Sequence, residues 1–146
     1  MTEFQRVTPE FAVAGQLEPG DFARAAAAGY KTVVNNRQEG EDPDQPTEAQ
    51  ARAAAQAAGL AFRSVPFPTG APPSPGVVAA TAELLEEAPG PVLAYCRTGR
   101  RSITAWALAQ ALSGERRPNE IIALAAKAGY DLEGARGALE TLAPKG

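Results

Sequence analysis

Apolar positions along the chain fall into short β-branched runs and longer alanine-rich runs, and turn residues punctuate nearly every change between them. Phe11-Ala12-Val13-Ala14 predicts a short opening strand closed by Gly15. Glu18 to Ala28 has a helical pattern, with Gly29 suited to its C-terminal cap. Lys31 to Asn36 predicts a strand, and Gln38 to Pro46, with Gly40, two prolines and four acids, a solvated loop. Thr47 and Gln50 stand as N-cap and N3 of a capping box that opens a helix to Ala58, stopped by Gly59. Leu60 to Val65 predicts the third strand, and the proline-rich Pro66–Pro73 a surface loop.

Ser74 caps the next helix, with Pro75 at its first position, running to about Ala88. Pro91-Val92-Leu93-Ala94-Tyr95 predicts a fourth strand covered on both faces, since almost every position is apolar. Helices follow over Ile103–Leu112, near Pro118–Ala128 and over Leu132–Leu142. Strands alternating with helices predict an α/β fold: a four-stranded, mainly parallel sheet in a three-layer arrangement, built through right-handed crossovers. With 146 residues the expectation is one domain over 1–146.

Composition narrows the chemistry. A net charge of −3 and no run of Lys or Arg argue against a nucleic-acid partner. No apolar stretch approaches the roughly 18 residues of a membrane span, and the N-terminus lacks the basic-then-apolar signal-peptide pattern, so the cytoplasm is expected. The chain has no histidine, which removes Ser-His-Asp triads, Cys-His dyads and histidine-bearing metal sites. Its one cysteine excludes internal disulfides, thiolate zinc sites and Cys-x-x-Cys redox pairs. Neither a metal nor a cofactor is expected.

That cysteine, Cys96, follows the most apolar strand and begins Cys96-Arg97-Thr98-Gly99-Arg100-Arg101-Ser102, a turn expected to enter a helix near Arg101–Ile103. Ligands of open α/β sheets bind where strands end and helices begin. Gly99 lets the backbone curl with its N–H groups inward as an anion nest, and the helix N-terminus adds partial positive charge. Arg97, Arg100 and Arg101 concentrate guanidinium charge there, and Ser102 is placed to donate to the sulfur. All of these favour the thiolate over the thiol, which makes Cys96 the expected nucleophile. Arg37, at the end of a predicted strand, is equally suited to line the pocket mouth or to be a surface charge. Trp106, Leu108 and Leu112 are expected in the core, and the acids of Glu39-Gly40-Glu41-Asp42 in solvent.

The chain resembles the phosphatase-like domain family named after beta-lactamase hydrolase-like proteins, whose members are also described as sulfur transferases. The resemblance rests on Gly15-Gln16, Val33-Val34-Asn35-Asn36-Arg37, Glu39-Gly40-Glu41, Ala57-Ala58-Gly59-Leu60, the stretch Gly90 to Ser102, and Ala128-Gly129-Tyr130-Asp131-Leu132. It implies the fold of dual-specificity tyrosine phosphatases. Tyr95 stands where many such proteins carry histidine, which removes one group that would orient the cysteine.

Two departures from tyrosine phosphatases bear on the reaction. Four residues separate Cys96 from Arg101, where the phosphatase motif has five; the wording Cys-Arg-x-Gly-x-Arg-Ser is similar to the active loop of rhodaneses. The loop Pro66–Pro75 also holds no Asp or Glu to act as general acid. The sequence expectation is therefore a rhodanese-like sulfur transferase. Cys96 and Arg101 are its catalytic residues, and Arg97, Thr98, Gly99, Arg100, Ser102 and Arg37 bind the anion. Cys96 would carry sulfane sulfur as a persulfide between a small anionic donor and a thiol acceptor. The alternative is a phosphatase acting on a phosphorylated substrate through phosphocysteine, and a third class is a non-catalytic anion-binding or sulfide-sensing module.

Overall fold

The computed structural model describes residues 2–144; Met1, Lys145 and Gly146, at the extremes of the predicted 1–146 domain, lie outside the described residues. Five strands form one sheet in the order β1-β2-β5-β3-β4: β1 (Phe4–Thr8), β2 (Phe11–Ala14), β3 (Thr32–Asn35), β4 (Ala61–Ser64) and β5 (Val92–Tyr95). Pairing is parallel except between β1 and β2. The four predicted strands are all present, and β1 corrects the count to five. Gln5 is half-buried and Arg6 exposed, as an edge strand allows, and with the buried Thr8 they interrupt the apolar run that marks the others.

The helices are α1 (Pro19–Ala27), α2 (Glu48–Ala57), α3 (Pro75–Glu87), α4 (Arg100–Ser113), α5 (Pro118–Lys127) and α6 (Arg136–Leu142), with a 3₁₀ turn at Glu133–Ala135. The last predicted helix, Leu132–Leu142, is thus a 3₁₀ turn followed by α6. The capping box at α2 forms as the sequence requires: the Gln50 amide N–H donates to Thr47 Oγ1 and the Thr47 N–H to Gln50 Oε1. Ser74 Oγ accepts from the Val77 N–H at the start of α3.

Side-chain alternation along the strands divides the core in two. Val13, Val34, Val92 and Ala94 pack with α3, α4, α5 and α6, while Ala12, Ala14, Val33, Leu93 and Tyr95 pack with α1 and α2. The result is three layers with the sheet in the middle, and β5 at its centre is buried at every position. Phe11 and Trp106 stack at 5.4 Å between centroids, tying β2 to α4. Trp106 and Leu108 are core residues as expected; Leu112 is exposed, because it falls on the solvent side of the last turn of α4. No helix among the described residues is long and apolar enough to cross a membrane.

Candidate active site

The parallel strands β2, β3, β4 and β5 end together, and the connections after them converge on Cys96. Helix α4 starts at Arg100, earlier than the sequence pattern suggests, so the loop proper is only Cys96 to Gly99. Gly99 is the N-cap in the left-handed region, with φ of 90°. That conformation turns its N–H back onto Cys96 Sγ at 3.1 Å. Because Cys96 follows Tyr95 in the alternation, its side chain projects to the α4 side, while the Tyr95 ring lies on the α1 side, edge-on to Phe22. Burial drives the Tyr95 hydroxyl pKa strongly upward. It is a neutral core phenol, and no orienting contact from it to the sulfur is present.

Two close approaches fix the loop from outside. The Tyr130 hydroxyl donates to the Thr98 carbonyl at 2.8 Å and lies directly over Gly99. Behind the loop, a Cβ at Gly15 would come within 3.0 Å of the Arg97 carbonyl. Gly99→Ala should therefore lower stability by about 1–3 kcal/mol from the left-handed backbone alone. The added methyl also collides with Tyr130. Urea unfolding of Gly99→Ala beside Gly99→Ala/Tyr130→Phe checks this: the double variant should recover part of the loss, and equal losses would show that the collision contributes nothing.

Arg101, the second residue of α4, is 8% exposed and turns back under the loop. Its Nη1 donates to Glu41 Oε2 (2.6 Å), to the Phe67 carbonyl (3.0 Å) and weakly to the Asn36 carbonyl (3.4 Å); its Nη2 donates to Glu41 Oε1 (2.8 Å). The Glu41 hydrogen bonds raise the Arg101 pKa, and the charge of the Cys96 sulfur adds to the effect. Glu41 also accepts from Arg37 Nε at 2.9 Å and from the Gln38 N–H at 2.7 Å, so both oxygens are doubly occupied. Its pKa falls to about 2, chiefly through the Arg101 hydrogen bonds, so it is a carboxylate at neutral pH. The expected solvated acidic loop is thus half wrong. Glu41 is a partly buried strut and Asp42 is half-buried against Arg37, while Glu39 stays exposed, its Oε1 accepting the Glu48 N–H at the start of α2.

Two other expectations are corrected. Arg37 is 3% exposed, and its guanidinium is committed to Glu41, Gln16 and Asp42. It props the Glu41 loop and is not among the residues lining the cleft, its guanidinium being turned to three acceptors within 3 Å. Ser102 Oγ donates to Asn36 Oδ1 at 2.7 Å and not to the sulfur, since a residue at N3 of α4 faces the end of β3. Asn36 is a site residue that sequence reading missed. It joins three elements: its N–H donates to the Tyr95 carbonyl, its Nδ2 to the Val65 carbonyl, and its Oδ1 receives Ser102.

Above this floor is a cleft of about 530 Å³ lined by Phe67, Thr69, Gly70, Ala71, Pro73, Arg97, Thr98, Arg100, Arg101 and Thr104. Of the predicted loop residues, Arg97, Thr98, Arg100 and Arg101 reach it. Cys96 is 1% exposed and lies just beneath its floor. Arg97 is 70% exposed, with one loose approach to Asp42 at 4.0 Å. No Asp or Glu lines the cleft, and Arg37 pulls the Asp42 pKa down. Among the described residues, no group of three or more His, Cys, Asp or Glu side chains is placed to hold a metal ion.

Residues 3–113 match the family model of the phosphatase-like domain of beta-lactamase hydrolase-like protein. The chain is 34% identical over 127 residues to a beta-lactamase hydrolase-like protein of Agrobacterium fabrum, a match covering 87% of this chain and 29% of that one. It therefore spans less than a third of the length of the curated relatives it matches. The crystal structure of a candidate phosphatase from Neisseria meningitidis superposes with a TM-score of 0.81 at 32% identity, covering 94% of this chain and 96% of that one. Tk-PTP in its active form superposes with a TM-score of 0.74 at 17% identity over 95% of each chain, and this shows the shared tyrosine-phosphatase fold.

Proposed function

The chain belongs to the family of phosphatase-like domains of beta-lactamase hydrolase-like proteins, and from that premise we propose that it is a phosphatase-type hydrolase with Cys96 as nucleophile. The observation that carries the reading is the Gly99 N–H on Cys96 Sγ at the start of α4, with the Arg101 guanidinium braced beside it. The helix N-terminus and the guanidinium stabilise both the sulfur anion and a bound phosphoryl group. In the first step the thiolate attacks phosphorus: an S–P bond forms, the ester P–O bond breaks, and the leaving alkoxide or phenoxide takes a proton from water. In the second, water attacks the phosphocysteine, the P–S bond breaks, and inorganic phosphate leaves with the thiolate restored.

The site supplies no proton donor. The Pro66–Pro75 loop has no acid, and the carboxylates bound to the arginines of the site, Glu41 and Asp42, are held ionised by Arg101 and Arg37. A general acid contributes about 10²–10⁴ in rate, so hydrolysis should depend steeply on the leaving group. Rates for p-nitrophenyl phosphate, phenyl phosphate and an alkyl phosphate test this. The nitrophenyl ester should be faster than the alkyl ester by at least about a hundredfold, and equal rates would mean that an acid acts after all.

The sequence expectation of sulfur transfer becomes the second reading, since the similar proteins are described as phosphatases. One observation keeps it: with four residues between Cys96 and Arg101 the cradle is short, and thiosulfate cleavage needs no acid. The thiolate would take the outer sulfur as a persulfide, release sulfite, and give the sulfur to a thiol. Thiocyanate formation from thiosulfate and cyanide, assayed beside phosphate release, decides between them.

A further inference from the structure

The same cleft carries more positive charge than the scissile group requires. Arg101 is braced by Glu41 beside the sulfur, where it serves the reacting group. Arg97 and Arg100 have no such close carboxylate partner. Asp42, the one carboxylate near Arg97, is already bound by Arg37 at 2.7 Å, and its approach to Arg97 is only 4.0 Å. Arg100 gives one N–H of its guanidinium to a neutral acceptor, the Asp131 carbonyl, at 3.0 Å. That bond fixes the direction of the side chain without cancelling its charge. Both line a cleft that has no acidic residue. At about 530 Å³ the cleft is in the size range that takes a whole small molecule rather than a single phosphoryl group. It also contains an uncharged wall of Phe67, Ala71 and Pro73.

We propose that Arg97 and Arg100 read a second anionic group on the substrate, so that the cleft selects compact phosphomonoesters bearing a further acidic group on an apolar body. This rests on reading the Cys96 loop as a phosphoryl site. Arg97 and Arg100 are specificity residues here: they meet the distal charge, while Arg101 and the loop amides meet the reacting phosphoryl group. Two partly exposed ion pairs contribute roughly tenfold in affinity together, screened by salt.

Two probes differing in one charge make the test, para-carboxyphenyl phosphate and para-carbamoylphenyl phosphate. Their affinities are measured by calorimetry on Cys96→Ser, which binds without turning over, and on Cys96→Ser/Arg97→Gln/Arg100→Gln. The expected result is about a tenfold preference for the carboxylate, shrinking in high salt and falling below about twofold in the triple variant. Equal affinities in Cys96→Ser, or a preference that survives loss of both arginines, would overturn the assignment. Wild-type turnover of the same probes isolates the premise. A charge preference without phosphate release from either probe would sink the phosphatase reading and leave Arg97 and Arg100 as anion readers, whereas release without preference would sink only the specificity assignment.

Discussion

Replacing Cys96 by Ser should lower phosphate release from p-nitrophenyl phosphate by at least about three orders of magnitude while leaving the fold intact. Serine keeps the size and an acceptor for the Gly99 N–H that now meets the sulfur at 3.1 Å. It loses the sulfur nucleophile, and a hydroxyl cannot replace it without a base. The structure provides none: the chain has no histidine, and the carboxylate that shares Arg101 has its oxygens filled by Arg37, Arg101 and the Gln38 N–H. No second thiol can substitute, since Cys96 is the only cysteine. Intact-protein mass spectrometry of wild type quenched during turnover should show a phosphate adduct on Cys96 that the variant lacks. Residual activity of more than a few per cent in a folded variant would place the nucleophile elsewhere.

Glu41→Gln should unfold at much lower urea. Glu41 stands between two guanidiniums that are almost wholly buried, Arg37 and Arg101. Replacing the carboxylate by an amide leaves both cations short of their counter-ion and turns an NH₂ group toward their donors. Breaking a buried pair by removing one partner costs about 3–5 kcal/mol, and the part-exposure of Glu41 puts the expectation near the lower figure. The pH dependence has a definite sign. The Glu41 pKa is depressed from 4.5 to about 2 in the folded protein, so its contribution is fully present above pH 4.5 and is lost as pH falls toward 2. At 1.36 kcal/mol per unit that is roughly 3 kcal/mol, which agrees with the pair-breaking figure. Wild type should therefore lose stability across this window, and Glu41→Gln should lose less. Parallel urea curves for the two proteins from pH 7 to pH 3 would refute the role given to Glu41.

What the sequence made legible follows from range. The capping box Thr47–Gln50, the Ser74 cap and the buried strand β5 depend on residues within a few positions, and each is where the pattern places it. Gly99 was legible for the same reason, because a positive φ inside a strand-to-helix turn favours glycine. The bracing around the loop was not. Glu41 and Arg101 are sixty positions apart, and Ser102 and Asn36 sixty-six, so no local period reports that they meet. An acid-rich, glycine- and proline-bearing segment reads as solvent-facing by composition, yet one of its carboxylates is drawn inward by Arg37 of the same connection and by Arg101 of α4. Arg37 was misplaced in the same way: its position at a strand end suggested a pocket mouth or a surface charge, and only the fold shows three acceptors around it. The edge strand β1 escaped because Gln5, Arg6 and Thr8 interrupt its apolar run. On the reaction, the phosphatase-like family and fold were readable from motif residues. The preference for sulfur transfer came from one loop length and one missing acid, and the described phosphatases among its relatives do not support it.

The hydroxyl of Tyr130 reaches the loop from a stretch of chain that the matched family region, ending at residue 113, leaves out. So does the Asp131 carbonyl that steadies Arg100, and so do Leu132 and Leu139, which are buried in the core cluster that includes residues of α4. A fragment cut at the family boundary would keep every residue of the cysteine motif and yet lose the roof over it. The folded unit around Cys96 is therefore longer than its signature, and anyone expressing, grafting or fusing it should carry the chain through at least α6.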